Sequence, residues 1–159
     1  MAFSWDEFAE AVKGYPAAHV TLAIVDRDPV TPATGSDVNI GDIWNFKIRI
    51  RNNGHLNMTG VALRVTGHNG TQLRLSSGSP WSTAVTFPAV GGLTVKAHSS
   101  LDTTPDILFK APSGVKPPGT ELVCAHITKF DVNLNYLLVD HSDSSAQPRG
   151  CYKDEVFTV

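Results

Sequence analysis

Cys124 and Cys151 are the residues of this chain whose type and placement offer the most chemistry. On two neighbouring antiparallel strands they would come within disulfide range, and a bridge would close a loop of about 27 residues, worth about 3 kcal/mol in chain entropy. They read equally well as reduced thiols, with Cys124 a small core residue. An oxidising compartment favours the bridge and a reducing cytosol the thiols. Together with His126 and His141 they could supply four zinc ligands, but the close C-x2-C or H-x3-H pairs of zinc sites are missing. His126 shares parity with Phe130, Val132 and Leu134, which makes it an inward-facing core histidine. No metal site is assigned.

Other candidate chemistry fails on spacing. The run Asp140-His141-Ser142-Asp143-Ser144-Ser145 offers oxygen ligands, yet it lacks the glycine and the closing glutamate of an EF-hand loop. A hydrophilic hairpin loop explains it more simply. Ser113-Gly114-Val115-Lys116 spells S-x-x-K, a nucleophile motif when both side chains share a helix face; here Pro112 and Pro117 flank it. There is no G-x-S-x-G, no H-E-x-x-H and no glycine-rich phosphate loop. The expectation is no catalytic residue, no cofactor and no enzyme.

The remaining candidates are surface features. Lys47, Arg49 and Arg51 form a basic row on one strand face, while Asp131, Asp140, Asp143, Asp154 and Glu155 gather acid toward the C-terminal end. A solvated mixed-charge surface accounts for both, and head-to-tail self-association is the sharper reading. Trp81, between Pro80 and Ser82, is the candidate for stacking on a sugar, whereas Trp44 belongs to the core by alternation and Trp5 packs from a helix. Asn57-Met58-Thr59 and Asn69-Gly70-Thr71 match the glycan acceptor pattern.

The elements that must position these residues read as strands. Ser4 and Glu7 have capping-box spacing, and Phe8, Ala11 and Val12 form an apolar stripe, so a short helix is expected to stop near Lys13 before Gly14 and Pro16. Val20, Leu22 and Ile24 then alternate with polar or small residues until Pro29 and Pro32 break the run. In Trp44-Asn45-Phe46-Lys47-Ile48-Arg49-Ile50-Arg51 every even position is apolar and every odd one polar, the period of a sheet with one wet face. Asn52-Asn53-Gly54 turns the chain, Val61, Leu63 and Val65 alternate again, and Asn69-Gly70 suits a tight hairpin with Leu73 and Leu75 as its return arm. Further strands are expected over Ala84 to Phe87, Leu93 to Ala97, Asp106 to Lys110, Glu121 to about Val139, and Glu155 to Val159. The stretch from Ala111 to Gly119 reads as a loop. About eight strands divided by turns point to an antiparallel sandwich.

Bulk composition agrees. A length of 159 residues fits one domain with a buried core, and 42% hydrophobic against 18% charged residues belongs to a folded chain. We divide it into residues 1–17, helix and lead-in, and residues 18–159, the sandwich. A net charge of −2 argues against nucleic acid as partner, and no apolar run approaches the ~20 residues of a membrane helix. The first residues carry neither a basic n-region nor an apolar h-region, so no signal peptide is read.

The segment Gly41-Asp42 followed by the alternating strand and Asn52-Asn53-Gly54, with Val61 to Val65 after it, resembles bacterial and archaeal immunoglobulin-like modules, among them CARDB-like adhesion-type domains. The resemblance implies an immunoglobulin-like β-sandwich and a role as spacer, adhesion unit or assembly subunit. The expected function is therefore a non-enzymatic structural or interaction module: a subunit of a filament, sheath or virion coat, or an adhesion-type domain. Its partners would be itself or another surface protein, at the cell surface, outside the cell or on a virion. The alternative is a carbohydrate-binding accessory module with a glycan partner. A strand ending at the terminus, Glu155 to Val159, is also a candidate for exchange between subunits.

Overall fold

The structure, a computed structural model, describes residues 15–31, 37–75, 79–88, 91–104, 106–131, 139–140 and 149–158. The helix expected before Lys13 lies outside them. A single helical turn, α1 (Tyr15–His19), instead follows the expected stop. Pro16 does not block it, because proline is well accommodated in a helix's first turn, where its missing N–H has no partner to lose.

Twelve strands follow among the described residues, in two sheets. The first contains β1 (Val20–Thr31), β3 (Ile43–Asn52), β5 (Gln72–Arg74), β8 (Ser99–Asp102) and β9 (Ile107–Lys110). The second contains β2 (Val38–Asn39), β4 (Met58–Gly67), β6 (Ala84–Phe87), β7 (Leu93–Val95), β10 (Lys116–Asp131), β11 (Val139–Asp140) and β12 (Arg149–Phe157). The all-β, two-sheet expectation holds.

β3 is the axis of the first sheet. Trp44, Phe46, Ile48 and Ile50 are all buried in the core, as their alternation requires, while Arg49 and Arg51 face solvent. β1 pairs antiparallel along one side of β3. The other side is shared by β8, opposite Arg49 to Asn52, and β9, opposite Ile43 to Phe46. Thr103 splices the gap: its N–H donates to the Ile48 carbonyl (3.0 Å) and its Oγ1 accepts from the Ile48 N–H (2.9 Å). Both bonds are buried, so the ladder of β3 is complete through the break.

Pro29 does not end β1. The register shifts between Val25 and Asp28, where Asp26 has φ 53°, and again between Pro29 and Thr31. β1 is an edge strand, where a proline lacking its N–H costs no ladder bond on the open side. The break foreseen at Pro29 is thus an irregularity inside one strand.

In the second sheet β10 lies between β4 and β12. It begins at Lys116, inside the stretch read as a loop, and a register shift between Lys116 and Thr120 absorbs Pro117, Pro118 and Gly119. Leu63 and Val65 of β4 stand opposite Ile127 and Ala125 of β10, and all four belong to the core. β12 pairs with β10 on one side and, through Val156 and Phe157, with β2 on the other. Val156 of the C-terminal strand is thereby paired within its own chain at both edges.

The sheets also touch directly. A Cβ on Gly150 of β12 would lie 2.6 Å from the backbone carbonyl of Leu22 on β1, so only glycine fits where these strands cross. The hairpin expected at Asn69-Gly70 is corrected as well. Both residues have positive φ (57° and 92°), and the Thr71 N–H donates to the His68 carbonyl, closing a tight turn. Its return arm, β5, pairs with β9 rather than β4. The turn carries the chain from one sheet to the other.

Candidate functional site

Cys124 and Cys151 are bonded to each other. They face one another directly in the β10–β12 register, with Cα atoms 4.1 Å apart. Cys124 also pairs with Thr66 and His126 with Arg64, whereas the alternate residues Ala125 and Ile127 belong to the core. Cys124 and His126 therefore lie on the outer face of the second sheet. The inward assignment of His126 fails because a register shift between Ile127 and Lys129 changes parity before Phe130, so the buried phenylalanine says nothing of the histidine's face.

His126 is nonetheless 9% exposed, and its Nε2 has no hydrogen-bond partner among the described residues. Burial, then the positive charges of Arg64 and Arg149, hold its pKa below the ordinary value. A second register shift, between Glu121 and Val123, turns Glu121 toward the bridge although it is three residues from Cys124. There Glu121 receives an ion pair from Arg149 at 3.6 Å. Donor atoms of His68, Glu121 and Cys124 all lie within 4.8 Å of one another. With its sulfur in the bridge, Cys124 is not a ligand, because metals take the thiolate.

His68 and Glu121 escaped the sequence reading. His68 precedes a recognisable turn, but nothing in a period-2 pattern signals the shift that brings Glu121 round. The four-residue zinc grouping is only partly drawn together: Cys124, Cys151 and His126 share a face, and His141 lies outside the described residues.

Two of the three residues of the basic row are matched within the chain. Arg49 makes a two-point contact with Asp102 (2.8 and 3.0 Å), and Lys47 approaches Asp106 at 3.8 Å. Those bonds lower the Asp102 pKa and raise that of Arg49. Arg51 reaches only neutral groups, Asn53 at 2.9 Å and Ser100 at 3.5 Å. The acidic candidates sit on the other sheet. Asp154 accepts from the Tyr152 hydroxyl and, at its other oxygen, from the Glu155 N–H. Glu155 is half-buried, the backbone of Asp140 pairs with Lys129, and Asp143 lies outside the described residues.

Trp81 sits beside β5 because Leu73 and Ser82 exchange backbone hydrogen bonds. The Arg74 guanidinium lies 4.2 Å from its ring centroid and Lys110 6.0 Å away. A stacked sugar would have to use the opposite face. Arg27 stacks over Trp44 (4.1 Å) from β1 and also approaches Tyr152 (5.2 Å) of β12, tying the sheets together. Burial and the bond to Asp154 push the Tyr152 pKa well up.

No family model matches this sequence, and neither does any curated protein. Among solved structures the chain is similar to Spo0M, a sporulation control protein from Bacillus subtilis, with a TM-score of 0.44 and 9% identity. The match covers 89% of this chain and 50% of that one, so the chain spans half the length of this structural neighbour.

Proposed function

We propose that this chain is a non-enzymatic structural or interaction module built on an immunoglobulin-like sandwich, serving as a subunit of a surface assembly or as an adhesion-type domain. The observation that carries this reading is the outer edge of β1. This strand pairs with β3 on one side and, among the described strands, forms no ladder on the other, where Gly150 of β12 packs against Leu22 alone. Such an edge offers a row of backbone donors and acceptors to an incoming strand. Asp26 and Pro29 interrupt the row at one end and Gly150 of β12 packs against the Leu22 carbonyl at the other, so the receptive part is the short run from Ala23 to Val25. The partner is a protein segment, from another copy or from another surface protein. Charge plays the smaller part, since Lys47 and Arg49 are matched by acids of their own chain.

Light scattering over a concentration series, without reductant, tests the reading. An assembly subunit gives a mass that climbs above 17.1 kDa and falls back when Ala23, an exposed residue of β1, is replaced by lysine. Multimers indifferent to Ala23→Lys would overturn docking at this edge. A constant 17.1 kDa mass would leave only the adhesion-type form.

A further inference from the structure

We propose that opening the Cys124–Cys151 bridge creates a binding site for a thiophilic divalent ion of the zinc class, with Cys124, Cys151, His68 and Glu121 as its four ligands. The argument is independent of the docking edge. Two thiolates, an imidazole and a carboxylate are a donor set that zinc accepts in tetrahedral geometry. Three of the four already have donor atoms within 4.8 Å of one another, and the fourth, the Cys151 sulfur, is bonded to the third. A tetrahedral ion with metal–sulfur bonds of about 2.3 Å and metal–nitrogen bonds of about 2.0 Å spaces its ligands roughly 3.3–3.8 Å apart. The two sulfurs reach that spacing by moving apart once their bond is cut, and His68 and Glu121 by closing in.

The scaffold holds these groups from three directions. β10 supplies Glu121 and Cys124 through its register shift, β12 supplies Cys151, and the end of β4 supplies His68, whose N–H donates to the Leu122 carbonyl at 2.9 Å. Glu121 is held in the cluster's reach by Arg149, which an incoming ion displaces.

The chemistry balances with a phosphine as reductant. Phosphorus gives two electrons to the S–S bond and leaves as the phosphine oxide, its oxygen taken from water. The two protons of that water convert the sulfurs to thiols. Binding of the ion then releases both thiol protons to solvent as two metal–sulfur bonds form.

Cobalt(II) titration of the anaerobic, phosphine-reduced chain is the test, with circular dichroism recorded alongside. The expected result is one equivalent bound, with a thiolate-to-metal charge-transfer band and the strong red absorption of a four-coordinate ion, both abolished by zinc. The chain with its bridge intact gives neither band. His68→Ala and Glu121→Gln, which leave both cysteines in place, each weaken cobalt binding by about tenfold or more. If the reduced chain loses its fold, cobalt must restore it with the same spectrum. No binding by the reduced chain, no restoration, equal binding with the bridge intact, or indifference to both substitutions would overturn the proposal.

Discussion

A buried imidazole surrounded by guanidinium groups resists taking a proton, and His126 is in that position between Arg64 and Arg149. Its folded pKa lies below the 6.5 expected when unfolded, so the unfolded chain binds the proton more readily. The fold therefore keeps its full stability above about pH 6.5 and loses some as pH falls toward the folded value. Urea midpoints across that range should decline in the wild type and stay flatter in His126→Gln. Tyr15 poses a different test. Its hydroxyl lies 3.0 Å from both Asn52 Oδ1 and the Leu56 carbonyl and accepts from the Leu56 N–H at 3.1 Å. Tyr15→Phe strips those partners at a partly buried joint and should cost about 1–2 kcal/mol in urea unfolding. The sequence made the core residues of β3 legible because strict alternation has one structural solution. It hid the face of His126 and the approach of Glu121, because one extra residue in a strand reverses parity without changing composition.

At the scale of elements, the splice at Thr103 carries the most weight, since it lets two short strands serve as one neighbour of β3. Thr103→Val keeps the shape but leaves the buried Ile48 N–H without its side-chain acceptor. The expected loss is about 1–3 kcal/mol, read from the urea midpoint, with Thr103→Ser near wild type. Most strands were readable: β3 and β6 occupy the segments their alternation or apolar content marked out. What could not be read was pairing. Asn69-Gly70 has the residues of a hairpin turn, and the chain uses them to leave one sheet for the other. Turn chemistry specifies a local reversal, while the neighbour of the departing strand is chosen by core packing. Pro117 and Pro118 misled in the opposite sense, because a strand with an irregular register can hold them.

Over the whole molecule, one covalent bond joins two central strands of the same sheet on its outer side, and the apolar core lies on the other. Reduction should thus weaken the fold without disturbing core packing, lowering unfolding free energy by about 3–4 kcal/mol for a sequence separation of 27 residues. Denaturant titration with and without a phosphine measures it, and near-ultraviolet circular dichroism in the absence of denaturant should stay native-like. That placement also has a mechanical meaning. If tension reaches this module through its two ends, the segment between Cys124 and Cys151 never bears load, because force passes across the bond instead. Stretched singly between a tip and a surface, the oxidised chain should pay out about 90 Å less contour than the reduced one, at about 3.4 Å for each of the 27 residues shielded. The redox state of its surroundings would then set how far the molecule can be drawn out before it becomes taut.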